Sequence, residues 1–314
     1  MAVASVVSPI DRRATLAAPL FDTAFRPSAV VLGRPTATNR ALAEAFSRFG
    51  YAGFVAAPAD PPRLGPADFA VARIDVLPTV DGVEEGIWEL PLLERQGARV
   101  LNNPVALLAA HDKLLTAVLL GRAGVAQPRT AHVRDASVPA FPPPYVVKPR
   151  FGSWGRDVYR CETVGELTER LETLRERRWF RRHGALVQAL VEPNGCDLRV
   201  VVAGGRVVGA VERIAAPGEW RTNVALGATR RRAQLSPSAR VLALRAVTAL
   251  GLDLAGVDLL TDGTGRQLVL EINGAVDFNV DYADDVFAAA ASALTGVVVA
   301  EDSYERLRAS SGRS

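Results

Sequence analysis

The sequence predicts a mixed α/β and α+β protein in three parts: a small parallel-sheet unit near the N-terminus, then two units in which strands and helices mix. Three observations predict it. Strand-like and helix-like runs alternate between residues 28 and 102, as in a parallel sheet with crossover helices. From Leu186 onward short β-rich runs dominate, with helical stretches after them. The length, 314 residues, exceeds what a single core usually holds.

Composition narrows the classes. About half the residues are hydrophobic and about a quarter charged, enough for a sizeable core and unlike a disordered chain. The net charge is +3, with arginine far outnumbering lysine. That mild excess suits an anionic substrate such as a nucleotide and does not single out nucleic acid. Cys161 and Cys196 lie far apart in no metal-ligand spacing, so the expectation is no disulfide framework and a cytoplasmic location. No apolar run approaches the ~20 residues of a membrane span. Residues 1–27, where Asp11, Arg12 and Arg13 interrupt apolar stretches, lack a secretion-signal pattern and read as an extension.

Along the chain, Ala29 to Leu32 reads as a buried strand and Asn39 to Phe49 as a helix with Thr38 as its cap. Strands are predicted at Tyr51 to Ala56, Asp68 to Ile74 and Ala98 to Leu101, with a helix over Val83 to Gln96. Past Asn102-Asn103-Pro104 one helix is expected over Val105 to Arg122. A Pro-rich loop then feeds a strand at Tyr145 to Lys148, and an amphipathic helix follows over Val164 to Arg177. Strands follow at Leu186 to Val191, Leu198 to Val202 and Val207 to Arg213, then a helix over Ser238 to Leu250. Two more strands, Ala255 to Leu260 and Gln267 to Asn273, precede a last helix from Asp284.

Three segments carry chemistry. After the strand ending in Lys148 comes a loop with Gly152, Ser153, Trp154, Gly155 and Arg156. Glycines let backbone N–H groups approach phosphate oxygens, and the lysine can pair with the same charge. Alone, the string reads first as a Gly-rich hairpin. In the second segment, Asp258 lies on one strand and Glu271 and Asn273 on the next, joined by the turn Asp262 to Gly265. Period-2 alternation points Glu271 and Asn273 the same way, which suits a hard-oxygen site for Mg²⁺. The competing reading is three polar residues on an exposed face, which the apolar character of both strands argues against. The third comprises Asp197 and Arg199, then Glu212 and Arg213, then Trp220, Arg221, Thr222 and Asn223. Arg221 can offer bidentate contacts to phosphate, although singly such residues are more often structural ion pairs.

In this order the strings resemble an ATP-grasp enzyme of the RimK-like carboxylate–amine ligase group, over about residues 98 to 300. The matching strings are His111-Asp112-Lys113, Val147-Lys148-Pro149 with its loop, Gly195-Cys196-Asp197-Leu198-Arg199, Trp220 to Asn223, Gly256-Val257-Asp258 and Leu270 to Gly274. The resemblance implies an ATP-grasp fold: an N-terminal subdomain at 28–102, a central one with the lid at 103–186, a C-terminal one with the metal site at 187–302, and a tail at 303–314. It implies that Lys113 and Lys148 bind ATP phosphates, that Gly152 to Arg156 close over them, and that Asp197 binds ribose. Gln188, Ala189, Leu190 and Val191 would meet the adenine through backbone groups. Asp258, Glu271 and Asn273 would hold Mg²⁺, two ions by the family pattern, with Mn²⁺ as an alternative. Arg221 and Asn223, beside Thr222, would stabilise the transferring phosphoryl group and the tetrahedral intermediate. Two departures stand out: Ala189-Leu190 replaces the usual Glu-aromatic pair, and Trp154 is bulkier than the usual lid residue.

The implied reaction is phosphorylation of a carboxylate to an acyl phosphate, then attack by an amine, with small-molecule substrates and a homo-oligomer (dimer or tetramer) as partners. The strings around Trp220 and Glu271 look closest to ligases adding glutamate to tetrahydromethanopterin or a deazaflavin coenzyme. Peptide-bond formation in natural-product biosynthesis is the alternative within the scaffold. Other classes are a non-catalytic nucleotide-binding module, a kinase-like phosphotransferase, and a nucleic-acid binder using the basic run Arg175 to Arg182. That run reads more readily as a solvated helix end. Arg73 and Asp75 end an apolar run facing the expected cleft, as substrate contacts or as a structural ion pair.

Overall fold

The computed structural model describes residues 26–192 and 195–311. Residues 1–25 of the extension expected at 1–27, and the last three residues of the expected tail, lie outside the described residues. Four apolar strands, β1 (Ser28–Leu32), β2 (Ala52–Ala56), β3 (Phe69–Ala72) and β4 (Arg99–Leu101), form a parallel sheet in the order β2-β1-β3-β4. Helix α1 (Ala37–Phe46) covers one face and α2 (Leu90–Arg95) the other. The cap of α1 is Thr36, whose hydroxyl accepts from Asn39 N at 3.2 Å, rather than Thr38, which donates to Phe278 O at 3.1 Å.

The helix expected over Val83 to Gln96 is confined to α2. Before it, residues 75–84 make a hairpin-like loop, with Val76 bridged to Val83 and Glu84 N donating to Asp75 O. Gly86 then turns at φ 103°, where a Cβ would lie 2.3 Å from Pro58, so helix cannot start earlier. The single helix expected over Val105 to Arg122 is two, α3 (Pro104–His111) and α4 (Lys113–Arg122), bent by 104° at Asp112. Asp112 leaves the helical region to cap α4, accepting from Leu114 N at 3.1 Å, and its carboxylate also takes Arg150 Nε at 2.6 Å.

Two antiparallel sheets follow. In the central sheet β5 (Thr130–Val133), β6 (Tyr145–Pro149), β7 (Tyr159–Cys161) and β8 (Ala185–Ala189) lie in the order β5-β8-β6-β7, packed on α5 (Val164–Leu174) and α6 (Arg178–His183). In the other sheet β9 (Cys196–Ala203), β10 (Arg206–Ile214), β11 (Thr229–Arg232), β12 (Leu254–Thr261) and β13 (Gln267–Asn273) lie in the order β11-β10-β9-β12-β13. Strands β5, β7 and β11 were not expected: each is short, three or four residues, and too polar for a periodic signal. The boundary expected at 186 falls inside β8, and α3 and α4 pack on β13 and α7 (Pro237–Leu250) rather than on the central sheet. The last helix, α8 (Val286–Ser311), runs past residue 302, where the tail was expected to begin.

The faces of the large sheet divide its labour. Val200, Val202, Ala255 and Val257 point at α7, while Val201, Ala203 and Leu254 point at α8 in a core shared with α1 and the parallel sheet. The second face is covered by α8 at one end, which leaves Asp197, Arg199 and Asp258 to line open cavities at the other. Gly256 is required here, because a Cβ would lie 2.4 Å from Val276.

Two joints hold the sheets together. Asn102, fully buried at φ 58°, donates to Leu254 O at 2.7 Å and accepts from Asp253 N at 2.8 Å and Leu254 N at 2.9 Å. Asparagine tolerates that left-handed conformation better than most residues. At the other joint the 75–84 loop plugs Val80 into the core of the central sheet, and the buried carboxylate of Asp81 takes Arg178 at 3.0 Å and Arg182 at 3.3 Å. Arg177 pairs with Asp157 at 2.8 Å, so the basic run is tied into the fold. Asn102→Ala strands several buried backbone groups and is expected to cost about 3 kcal/mol in urea denaturation. A loss below ~1 kcal/mol would show that the joint is dispensable.

Candidate active site

Strand register builds the site. Arg199, Asp258 and Glu271 are direct neighbours across β9, β12 and β13, and Asp197 faces Arg213 across β9 and β10. Arg199 grips both oxygens of Asp258 at 2.7 Å, and Arg213 reaches Asp258 at 2.9 Å and Asp197 at 2.7 Å. Thr222 donates to Asp197 at 2.7 Å. Burial pushes the Asp258 carboxyl up, but the two guanidinium groups outweigh it and hold the group down at about 2. Burial also opposes ionisation of Glu271, which Lys113 and Lys148 overcome. A bulge in the β12–β13 pairing beside Asp258 puts consecutive residues, Leu270 and Glu271, on one cleft.

That cleft, about 900 Å³, is also lined by Lys113, Lys148, Gly152, Ser153, Gly155, Gln188 to Val191, Asp197, and Arg221 to Asn223. Lys113 and Lys148 are the only lysines among 37 basic residues, and both face it. Lys113, the first residue of α4, pairs with Glu271 at 2.6 Å and donates to Gly152 O in the loop after β6. Lys148 is buried at the end of β6; burial lowers its ammonium to about 8, with Lys113 acting the same way and Glu271 and Asp258 opposing. Gln188 donates to Thr130 at 2.8 Å, while its buried Oε1 has no partner. Ala189 N and Leu190 N donate to Arg129 O and Pro144 O, both at 2.9 Å.

The loop over the cleft is shaped by left-handed turns at Trp154 (φ 57°) and Gly155 (φ 71°). A Cβ on Gly155 would meet Asn223 Oδ1 at 2.8 Å, so only glycine lets the loop come down on Asn223. Arg221 donates to Gly155 O at 3.0 Å, and its guanidinium is held by Glu219 at 2.7 Å. Arg221 in turn holds Glu219 down at about 2. Trp154 turns the other way, into a second cavity, and stacks under Arg156 at 4.8 Å.

The second cavity, about 870 Å³, shares Ser153, Arg213, Asn223 and Glu271 with the cleft and adds Asp75, His111, Trp154, Arg199, Arg230 and Asn273. The expected metal residues therefore converge on one boundary: Asp258 lines the cleft, Asn273 the second cavity and Glu271 both. Among the described residues no group of three or more His, Cys, Asp or Glu could hold a metal, so a third oxygen would come from Asn273. Its buried Nδ2 has no partner, and turning the amide over presents its oxygen instead. Carboxylate and amide oxygens are the donors Mg²⁺ takes. Three hydrogen bonds already occupy Asp258, which leaves it room for about one further ligand.

Sequence reasoning placed Arg199 and Arg213 in its third chemical segment without giving them a role at the site, and it missed Glu219. Arg199 sits two positions after Asp197 and so shares its strand face, which was a usable signal. Glu219 gave none, because its pairing with Arg221 is made by a turn. His111 is buried on Ile74 O at 2.6 Å, and burial lowers its pKa. Cys161 is buried and Cys196 half-buried, both as free thiols.

A parallel sheet joined to two antiparallel sheets that enclose a lysine-lined cleft is an ATP-grasp architecture, and D-cycloserine synthetase DcsG superposes on it with a TM-score of 0.65 at 21% identity, covering 86% of this chain and 99% of that one. The RimK-like ATP-grasp domain matches residues 110–289, more than half of the chain, and the chain belongs to that family. A probable alpha-L-glutamate ligase of Aeromonas salmonicida (strain A449) is 36% identical over 197 residues, which are 60% of this chain and 64% of that protein. The ribosomal protein bS6–L-glutamate ligase of Salmonella paratyphi B (strain ATCC BAA-1250 / SPB7) is 34% identical over 219 residues, 68% of this chain and 70% of that one. No single described helix is long and apolar enough to cross a membrane.

With only two lysines, reductive ¹³C-methylation gives two lysine resonances beside that of the N-terminus. The Lys148 signal is expected to titrate near pH 8, and a midpoint near 10.5 would refute its burial. Its positive charge is present below that pH and lost above it. Nucleotide affinity is therefore expected to fall as pH rises through 8 to 9, up to ~10-fold per unit, with proton uptake on binding.

Proposed function

We propose that the chain is an ATP-dependent carboxylate–amine ligase that forms an amide or peptide bond through an acyl phosphate and releases ADP and phosphate. The observation that carries this reading is the meeting of Asp258, Glu271, Lys113 and Lys148 at one cleft, beneath a glycine loop and beside a second cavity. A cleft lined by two lysines and by Arg156, Arg213 and Arg221 suits a polyphosphate, and an adjoining chamber suits the molecules that react with its end. The names of the relatives support L-glutamate as the amine substrate. A small-molecule carboxylate as acceptor and a cytoplasmic location complete the proposal.

In this reading ATP lies along the cleft, with its adenine against Gln188 to Val191 and its ribose toward Asp197. The unpartnered Gln188 Oε1 is suited to accept from the adenine amino group. Lys113 and Lys148 neutralise phosphate oxygens, and the backbone of Gly152 to Gly155 closes over them. Asp258, Glu271 and Asn273 would hold Mg²⁺, two ions by the family pattern, which supplies charge neutralisation on the phosphates when bound. The substrate carboxylate attacks the γ-phosphorus in line, and ADP departs. The amine then attacks the acyl carbon, a tetrahedral centre forms, and phosphate leaves as the amide closes. Arg221, oriented by Glu219 and tied to the loop, stabilises the negative charge that moves through these steps, with Asn223 beside it.

Incubation with ATP, Mg²⁺ and L-glutamate against pooled carboxylic acids is expected to give ADP, phosphate and a product lighter than its substrates by one water. A product that keeps the phosphate would assign a kinase instead, and nucleotide binding without turnover a non-catalytic module. Glu271→Gln and Asp258→Asn are expected to lower ADP formation by ~10³-fold or more with the fold retained on circular dichroism. Unimpaired turnover would remove the metal assignment.

A further inference from the structure

The indole of Trp154, in the glycine loop, has no part in the chemistry above. Its backbone is left-handed, φ 57°, a conformation that a large side chain adopts rarely and at a cost. Gly155 beside it takes the same region freely, at φ 71°. The loop nevertheless keeps the indole and fastens it. Arg156 stacks on the ring at 4.8 Å and donates through Nη1 to Pro78 O at 3.0 Å, and Arg221 donates to Gly155 O at 3.0 Å. Two anchors, one on the 75–84 loop and one on the segment after β10, thus hold the ring at the second cavity.

The ring is not packed away. Trp154 is 37% exposed and Val224 39%, and both line the second cavity of about 870 Å³. Arg156 lines the nucleotide cleft and not this cavity, so its guanidinium backs the indole and leaves the opposite face to the chamber. Charged groups on the other walls are answered within the fold, Arg199 by Asp258 and Arg230 by Asp281. The chamber thus offers a ligand a flat apolar surface beside a polar boundary. Ser153, directly before Trp154, lies on that boundary with Glu271, so a carboxylate there sets its next few carbons against the ring. Aromatic faces attract other rings beyond what burial of area gives. We propose that Trp154 is a specificity-determining residue of the acceptor site, an aromatic platform that selects carboxylates carrying a planar ring a few carbons from the reacting group. The assignment rests on the ligase reading for which group of the ligand reacts. A saturated ring of the same size covers the indole as well but brings no π face of its own.

Phenylpropionate and cyclohexylpropionate share one skeleton and differ only in the ring. Calorimetric titration of the full chain with each, in the presence of ADP and Mg²⁺, is expected to show the wild type preferring phenylpropionate by ~5-fold. Trp154→Phe keeps a platform and is expected to retain that order. Trp154→Leu and Trp154→Gly, the latter at ease in the left-handed backbone, are each expected to erase it, with the fold of every variant checked by circular dichroism. A substitution that only loosened the loop would weaken both ligands together and leave their ratio unchanged. A wild type that binds the two alike, or binds neither, overturns the platform, as does a preference that survives in Trp154→Leu and Trp154→Gly. The two readings fail separately: ring-selective binding without ADP release from ATP sinks the ligase and leaves the platform, whereas ADP release with binding indifferent to the ring sinks the platform alone.

Discussion

The structure turns on the burial of two carboxylates. Asp258 and Glu271 sit side by side on β12 and β13, and an ionised carboxylate out of water is tolerated only when cations and hydrogen bonds close around it. The sheet supplies Arg199 and Arg213 to Asp258 from the two strands on its other side. Glu271 takes its cation from elsewhere, Lys113 at the start of α4. That demand explains the break between α3 and α4: a continuous helix would carry Lys113 away, whereas Asp112 stops α3 and restarts the chain at the carboxylate.

The same balance of charge has chemical use. Lysines and arginines that compensate carboxylates in the resting site are the groups a triphosphate would recruit, and the carboxylates they release are free for a divalent cation. The network is thus suited to exchanging partners without leaving any charge bare. Arg221 follows the same logic at the loop, with Glu219 holding its guanidinium in place and Gly155 O fixing its reach.

Closure of the site depends on joints remote from it. Asn102 ties the parallel sheet to the large antiparallel sheet through backbone groups of residues 253 and 254. The 75–84 loop reaches from the parallel sheet to the central sheet, where Val80 enters the core and Asp81 meets the arginines of α6. The basic run of Arg175 to Arg182 lies at the surface, where Arg175, Arg177, Arg178 and Arg182 pair with Glu172, Asp157 and Asp81. The loop also begins with Asp75, which lines the second cavity.

Much of this was legible beforehand. Alternation in β12 and β13 announced that Asp258, Glu271 and Asn273 would share a boundary, and apolar runs located ten of the thirteen strands among the described residues without any long-range information. Short polar strands such as β11 escaped, because four residues of Thr and Arg have no apolar period and pair only since β10 offers an edge. The helix over 83–96 failed for a tertiary reason as well: Gly86 must pass against Pro58, a neighbour that no local pattern reveals. By itself the sequence determined which residue types would meet at the site, since strand periodicity and glycine spacing are local properties of the chain. Only the tertiary structure decided which cation answers each carboxylate, because register, helix breaks and the contact between sheets are set by burial across the whole molecule.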